Sequence, residues 1–280
     1  MGRFSRGLAL TKMSFRVIRK DKEILLFPVI SGIISILVLA SFFGAWFFLN
    51  NSRIEGIQNS VLFYVLMFLF YLVSYFVVIF FNTALVGCAM KRLEGGDPTV
   101  GYGLSFASSR VKVILKWAMV AATVGLILRA ISDRAGAIGR IVMGIIGLVW
   151  TIATYFVVPV IAFEGLGPFQ AIKRSVSILK GTWGEALISN LGIGLIFMAL
   201  ALIGIVPLVL VAFTGNWTLM IVTFIAVVIY WLLLGVLSSA VSAVILTALY
   251  RFAMTGKTSE EFPEGMLTNP WSVGQKGRTS

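Results

Sequence analysis

Residues 141–183 read IVMGIIGLVWTIATYFVVPVIAFEGLGPFQAIKRSVSILKGTW: an apolar run, a corner bearing glycine and proline, and a basic amphipathic stretch. The apolar part, 141–163, is long enough as a helix to cross a hydrocarbon core of about 30 Å at about 1.5 Å per residue. Inside lipid every backbone N–H and C=O must be paired within the segment, which a helix achieves. The corner Glu164-Gly165-Leu166-Gly167-Pro168 then stops it. Glycine accepts the left-handed conformation that ends a helix, and proline opens the next because its missing N–H is not needed there. After Pro168, Phe169, Ile172, Val176 and Leu179 share one helical face while Gln170, Lys173, Arg174, Ser177 and Lys180 lie elsewhere. That pattern predicts a helix lying in the membrane interface.

Working outward, Glu94-Gly95-Gly96-Asp97-Pro98 repeats this EGxxP corner after another apolar run, and the offset relating Glu94 to Glu164 also superposes Ser105 on Ser175. The N-terminal stretch has a similar design, with Phe4, Leu8, Phe15 and Ile18 along one side and Arg6, Arg16, Arg19 and Lys20 turned away. The middle copy (Val100, Leu104, Ala107, Val111) is weaker, because Gly101-Tyr102-Gly103 costs about 1 kcal/mol per glycine in a helix, and it is expected to be partly irregular. AlaLeuTyrArg at 248–251 resembles AlaMetLysArg at 89–92, although no EGxxP follows it. Apolar segments at 24–49, 61–90, 113–131, 141–163, 186–213 and 219–250 complete the pattern. The expected fold class is an all-α membrane protein, with six transmembrane helices arranged as three repeated units of interfacial amphipathic helix plus helical hairpin. Its single membrane domain is read as 1–254, in units of about 1–92, 93–163 and 164–254, followed by a flexible tail, 255–280, too polar to fold by itself.

Composition agrees: 59% of residues are hydrophobic and 12% charged, against about 25% charged in an ordinary globular domain. Of the 23 basic residues, all but Arg53, Arg129, Arg134 and Arg140 fall at the N-terminus, in the second and fourth connections, or in the tail. Because basic residues are retained in the cytoplasm during insertion, both termini are expected there, in the cell membrane. Trp117 and Trp183 are read as markers of that interface. The first apolar run is too long for a signal core and lacks a cleavage site, so it is expected to remain as a span. Cys88 is the only cysteine and there is no histidine, so no intrachain disulfide, cysteine-built zinc site or cofactor is expected.

Three stretches, GRFSRGLALTKMSFRVIRKDKEILLFPVISG (2–32), VVPVIAFEGLGPFQAIKRSVSILKGTWG (157–184) and LTALYRFAMTG (246–256), resemble uncharacterised prokaryotic six-span membrane protein families related to the membrane domain of glycerophosphodiester phosphodiesterases. The resemblance covers about residues 1–256 and is strongest at Pro168, Ala171, Ser175 and 180–183. It implies a fold. The catalytic domain of those enzymes, a soluble barrel with acidic and histidine residues, has no counterpart here, so their activity is not implied.

General acid-base and nucleophilic catalysis need positioned titratable groups, and none of the eleven carboxylates sits in mid-membrane. The chain is therefore not expected to be an enzyme. Three groups of residues stand out instead. Arg16, Arg19, Lys20, Arg110, Lys112, Lys173, Arg174 and Lys180 are candidate contacts for lipid headgroups. Asn82, Thr83, Thr154, Tyr155, Ser238, Ser239 and Ser242, all on second helices of a unit, would line a polar cleft if the bundle were pseudo-threefold; the competing reading is interhelical hydrogen bonding. Glu94, Gly95, Pro98, Glu164, Gly165 and Pro168 form the bends, where the two acids either bind a cation or headgroup amine or pair with a neighbouring lysine or arginine. Ala40 and Gly44, Gly144 and Gly147, Gly192 and Gly194, and Gly235 with Ser239 are read as close helix contacts, and Pro159 as a kink or end of the fourth helix.

The function expected from these features is binding of anionic lipid at the cytoplasmic face, extending to translocation of a lipid or small amphiphile. The alternative is a structural or adaptor protein that recruits a partner. Expected partners are membrane lipids, anionic ones first, with a homo-oligomer or protein partner left open. Nucleic acid is not expected, because the basic residues are interleaved with membrane anchors.

Overall fold

The structure, a computed structural model, describes the backbone over residues 3–51 and 61–256 and side chains over 11–47, 61–136, 138–180 and 194–256. Expectations for Arg53, for the side chains of Phe4, Leu8 and Trp183, for the packing at Gly192, and for the tail from 257 fall outside these residues. The described chain is helical throughout, without a strand: α1 (Arg3–Lys20), a 3-10 turn (Lys22–Leu25), α2 (Leu26–Asn51), α3 (Val61–Leu93), α4 (Val100–Ser109), α5 (Val111–Arg134), α6 (Ala137–Ala153), α7 (Val157–Pro159), a π-helical turn (Val160–Glu164), α8 (Pro168–Ile203), α9 (Val206–Ala212) and α10 (Trp217–Thr255). Among the described residues six stretches are long and apolar enough to cross a membrane: Lys22–Phe47, Val61–Leu93, Val111–Arg134, Ile138–Glu164, Gly194–Ala212 and Trp217–Thr255.

The two corners form as glycine geometry requires. Gly95 and Gly165 adopt φ of 85° and 63°, and Pro168 is the first residue of α8. Pro98 differs: α4 starts at Val100, and Thr99 caps it by accepting the Tyr102 N–H on Oγ1 at 3.2 Å. With that cap, α4 is a regular ten-residue helix and not the irregular stretch that its glycines suggest. Another difference lies in α8. It runs unbroken from Pro168 to Ile203, so the expected interfacial helix and the start of the fifth span are one helix. Gly181 and Gly184 weaken a helix but, without a proline, do not stop it.

Interruptions occur instead just upstream of prolines. Pro159 offers no N–H and crowds the carbonyl four residues earlier, and the fourth span opens at Thr154–Phe156 between α6 and α7. Pro207 has the same relation to Ile203, where α8 ends. The spans α3, α5 and α10 contain no proline and run without a break.

The chain forms two compact units. One comprises Met1–Leu25, Ala89–Pro98 and Thr182–Ser280. Here α1 packs against α10. Among the described residues its buried side chains are Thr11, Ser14, Val17 and Ile18, with Asp21 just past its end, whereas Phe15 is 39% exposed. At about 100° per residue this face is turned by roughly 80° from the expected Phe4–Leu8–Phe15–Ile18 stripe. Small Thr11 and Ser14 permit closer helix approach than phenylalanine does. In the same unit the α8–α9 break is closed from α10. Ile205 N–H turns to Leu202 O, and the carbonyl of Ala201 accepts from Trp231 Nε1 at 3.2 Å while Tyr230 Oη donates to Leu200 O at 2.7 Å. Gly204 makes room for the two rings, since a Cβ there would stand 2.6 Å from Tyr230 Cε1.

The other unit comprises Leu26–Cys88 and Thr99–Gly181. Its core holds Phe27, Ala84, Leu85, Val86, Ala107, Ile114, Phe156 and Ile161, all essentially inaccessible. Trp117 belongs to this core too, 5% exposed and stacked on Trp150 at 5.9 Å. Close approaches occur at Gly87 and Gly103, where a Cβ would lie 2.4 Å from Phe106 Cδ1 and Phe27 Cζ respectively. A Cβ at Gly44, Gly144, Gly147, Gly194 or Gly235 would meet nothing within 4 Å, so the small residues expected at close contacts are not the ones that make them. Those glycines sit on helix faces open to the surroundings of the unit to which each belongs.

Candidate functional site

An arginine stands at the ends of α3, of the fourth span and of α10. In the first unit Arg92, in the last turn of α3, donates from Nε and an η-nitrogen to both oxygens of Asp21, and an η-nitrogen also reaches Asp97 at 2.7 Å. Asp21 is 6% exposed and follows α1 directly, so this fork ties the end of α1 to the end of α3. Arg251, near the end of α10, donates to the carbonyl of Leu93. A cation at this place satisfies a terminal carbonyl and complements the negative end of the helix dipole.

In the second unit Arg174 of α8 meets both oxygens of Glu164 at 3.0 and 3.1 Å across the Gly165 corner. Arg110, between α4 and α5, donates from Nε to Ala162 O at 2.8 Å, capping the π-helical end of the fourth span. The break in that span leaves the Phe156 N–H without its helical acceptor, because Tyr155 N–H already bonds Ile152 O. Ser175 Oγ of α8 accepts it at 3.0 Å, both residues being fully buried. Ser105, which the sequence offset pairs with Ser175, is exposed; α3 has no corresponding break for it to close. Ser175→Ala is therefore expected to cost about 1–2 kcal/mol by orphaning a buried N–H, and Ser175→Thr less than half of that. Thermal unfolding of the purified protein measures both.

The expected headgroup contacts divide sharply. Arg16, Arg19, Lys20, Lys112, Lys173 and Lys180 are exposed, whereas Arg110 and Arg174 are half-buried and each already engages a protein oxygen. Of the bend acids, Glu164 pairs with Arg174, while Glu94 is exposed and has no ion-pair partner among the described residues. At that corner the acids on the arginine are Asp97 and Asp21, the latter 71 positions away.

The polar set is divided between the two units. Asn82, Thr83, Thr154 and Tyr155 belong to one unit and Ser238, Ser239 and Ser242 to the other. Thr83 is buried and bonds Ile79 O at 2.8 Å; Thr154 bonds Trp150 O at 2.8 Å. These hydroxyls turn back onto their own helices and make no hydrogen bond between helices, which lets a hydroxyl sit in an apolar span without a partner element. Asn82, Tyr155 and the three serines are half-buried. Sequence reading missed Asp21 with Arg92, Arg251 with Leu93, and Ser175 with Phe156. The last carried one signal: a proline, Pro159, four residues after Tyr155.

Among the described residues no three groups of the His, Cys, Asp or Glu type gather as a metal site would require. What the fold and these exits define is a multi-pass integral membrane protein with six apolar spans and arginine-capped helix ends. Residues 61–260 match the family model described as a family of unknown function, DUF6159, and the chain belongs to that family. No curated protein matches it.

Proposed function

We propose that this is a non-enzymatic protein of the cell membrane, with both termini in the cytoplasm, that binds anionic lipid at its cytoplasmic face and moves a lipid or small amphiphile. One observation carries the lipid reading: Lys12, Phe15, Arg16, Arg19 and Lys20 stand together on the exposed side of α1, while Asp21, next in sequence, is withdrawn onto Arg92. Phe15 supplies an apolar residue to enter the acyl boundary and the cations supply attraction, the combination that holds a helix at a lipid surface. The resemblance to the membrane domain of glycerophosphodiester phosphodiesterases enters this proposal as a relation of fold, without their activity.

Each basic residue near an anionic surface contributes about 1 kcal/mol, so replacing Arg16, Arg19 and Lys20 together by glutamine is expected to weaken phosphatidylglycerol binding by about 3 kcal/mol, roughly a hundredfold. Phosphatidylcholine binding should change little. Native mass spectrometry of the full chain with each lipid added reads both. An unaltered preference for phosphatidylglycerol would refute the α1 surface as its source, and a retained protein subunit with no bound lipid would favour an adaptor that recruits a partner.

A further inference from the structure

Among the described residues four arginines are half-buried: Arg92, Arg110, Arg174 and Arg251. Arg92 is neutralised by Asp21 and Asp97, and Arg174 by Glu164. Arg251 commits an η-nitrogen to Leu93 O. Arg110 instead donates through Nε to a neutral carbonyl, Ala162 O, and among the described residues its two η-nitrogens have no hydrogen-bond partner and no carboxylate forms an ion pair with it. Its guanidinium carbon also lies 5.9 Å from the centroid of the Phe106 ring. That ring is itself fixed: it rests on the bare backbone of Gly87, with the Phe163 ring 5.6 Å away and the Tyr102 ring stacked at 6.2 Å.

A guanidinium anchored at one edge and propped on an aromatic face keeps a single plane. Such a group, short of a counter-charge and partly withdrawn from water, matches two oxygens of an anion through parallel N–H bonds, and arginine does this where lysine does not. In a six-span membrane protein the anion present at every span exit is the phosphate of a phospholipid. We propose that Arg110 is a receptor for lipid phosphate, presenting its two η-nitrogens to the non-bridging oxygens while Ala162 O and Phe106 hold its plane. The proposal rests on the lipid-binding reading and narrows it to one residue, away from the exposed surface of α1.

The test compares the full-length wild type, Arg110→Lys, Arg110→Gln, Phe106→Leu and the α1 triple glutamine variant by native mass spectrometry with dioleoylphosphatidylglycerol added. Arg110→Lys keeps the charge but cannot cap Ala162 O and also offer two coplanar donors. Both Arg110 variants are therefore expected to lose one tightly held lipid, its affinity falling at least about tenfold, while the α1 triple variant keeps it. Phe106→Leu removes the prop without touching the charge and should weaken the same site, which covers the case of an Arg110 variant that fails to fold. Equal lipid retention in wild type, Arg110→Lys and Arg110→Gln would overturn the proposal while leaving lipid binding through α1 intact. A wild type that holds no phosphatidylglycerol would remove the underlying reading as well. Inorganic phosphate that binds the lipid-free wild type and displaces the lipid in an Arg110-dependent way would make the ligand free phosphate and overturn the lipid assignment.

Discussion

Arg92→Ala is expected to destabilise the protein by about 3 kcal/mol, because it strands a buried carboxylate. The Asp21 side chain is 6% exposed and that of Arg92 17%, so the pair is largely out of water; Asp97, at 87%, rehydrates when the arginine goes. The figure is set at the low end of what breaking a buried pair costs, since Arg92 keeps some solvent. Asp21→Asn should be milder. Arg92 then retains Asp97, although an exposed pair of that kind contributes only about 0.2–1 kcal/mol. The double variant Asp21→Ala/Arg92→Ala is expected to recover much of the loss, because no unpaired charge is left inside. Cys88, the only cysteine and 1% exposed, provides the readout: a thiol-reactive dye becomes fluorescent as the thiol is uncovered on heating. A single Arg92→Ala variant that melts with the wild type would show that the fork to Asp21 does not hold α1.

That fork illustrates where sequence reading stops. Hydropathy and length locate six spans because lipid demands long apolar helices, and EGxxP locates the corners because Gly95 and Gly165 must adopt a left-handed conformation. Both signals are local. Asp21 and Arg92 are 71 positions apart, and each by itself reads as one more interfacial charge. Arg110 and Arg251 are harder still, since their acceptors are the main-chain carbonyls of Ala162 and Leu93, and a carbonyl carries no residue type to read. The face of α1 was legible only as hydrophobicity, which favours Phe15, whereas its packing on α10 selects Thr11 and Ser14 for their size.

The span interruptions were half legible. A proline predicts a break, but the loss appears at the carbonyl four residues before it, so the opening at Thr154–Phe156 precedes Pro159 and the end of α8 at Ile203 precedes Pro207. What makes each break tolerable inside an apolar span comes from another helix: Ser175 for Phe156 N–H and Trp231 for Ala201 O, with Tyr230 adding a second donor to Leu200 O, which still accepts from Gly204 N–H. Backbone groups freed in an apolar span must be satisfied by neighbours, which ties the two ends of each break to a particular partner helix.

Gly103→Val is expected to cost about 3 kcal/mol, the second large effect, and it separates propensity from packing. As a helix residue Gly103 is poor, and by propensity alone valine would gain a few tenths of a kcal/mol. Its surroundings reverse the sign. A Cβ at Gly103 would stand 2.4 Å from Phe27 Cζ and 2.7 Å from Cys88 Sγ, two side chains that are 0% and 1% exposed and have no free volume to retreat into. The neighbouring Gly101 has no such constraint, its nearest atom being Thr99 Oγ1 at 3.9 Å, so Gly101→Ala should stabilise α4 by about 0.5–1 kcal/mol. Opposite signs from two glycines two residues apart in one ten-residue helix cannot arise from helix propensity. Thermal unfolding followed by tryptophan fluorescence decides it without relying on Cys88, whose environment the Gly103 substitution changes directly. If both substitutions stabilise, α4 does not lie against Phe27 and Cys88, and the core of that unit must be packed some other way.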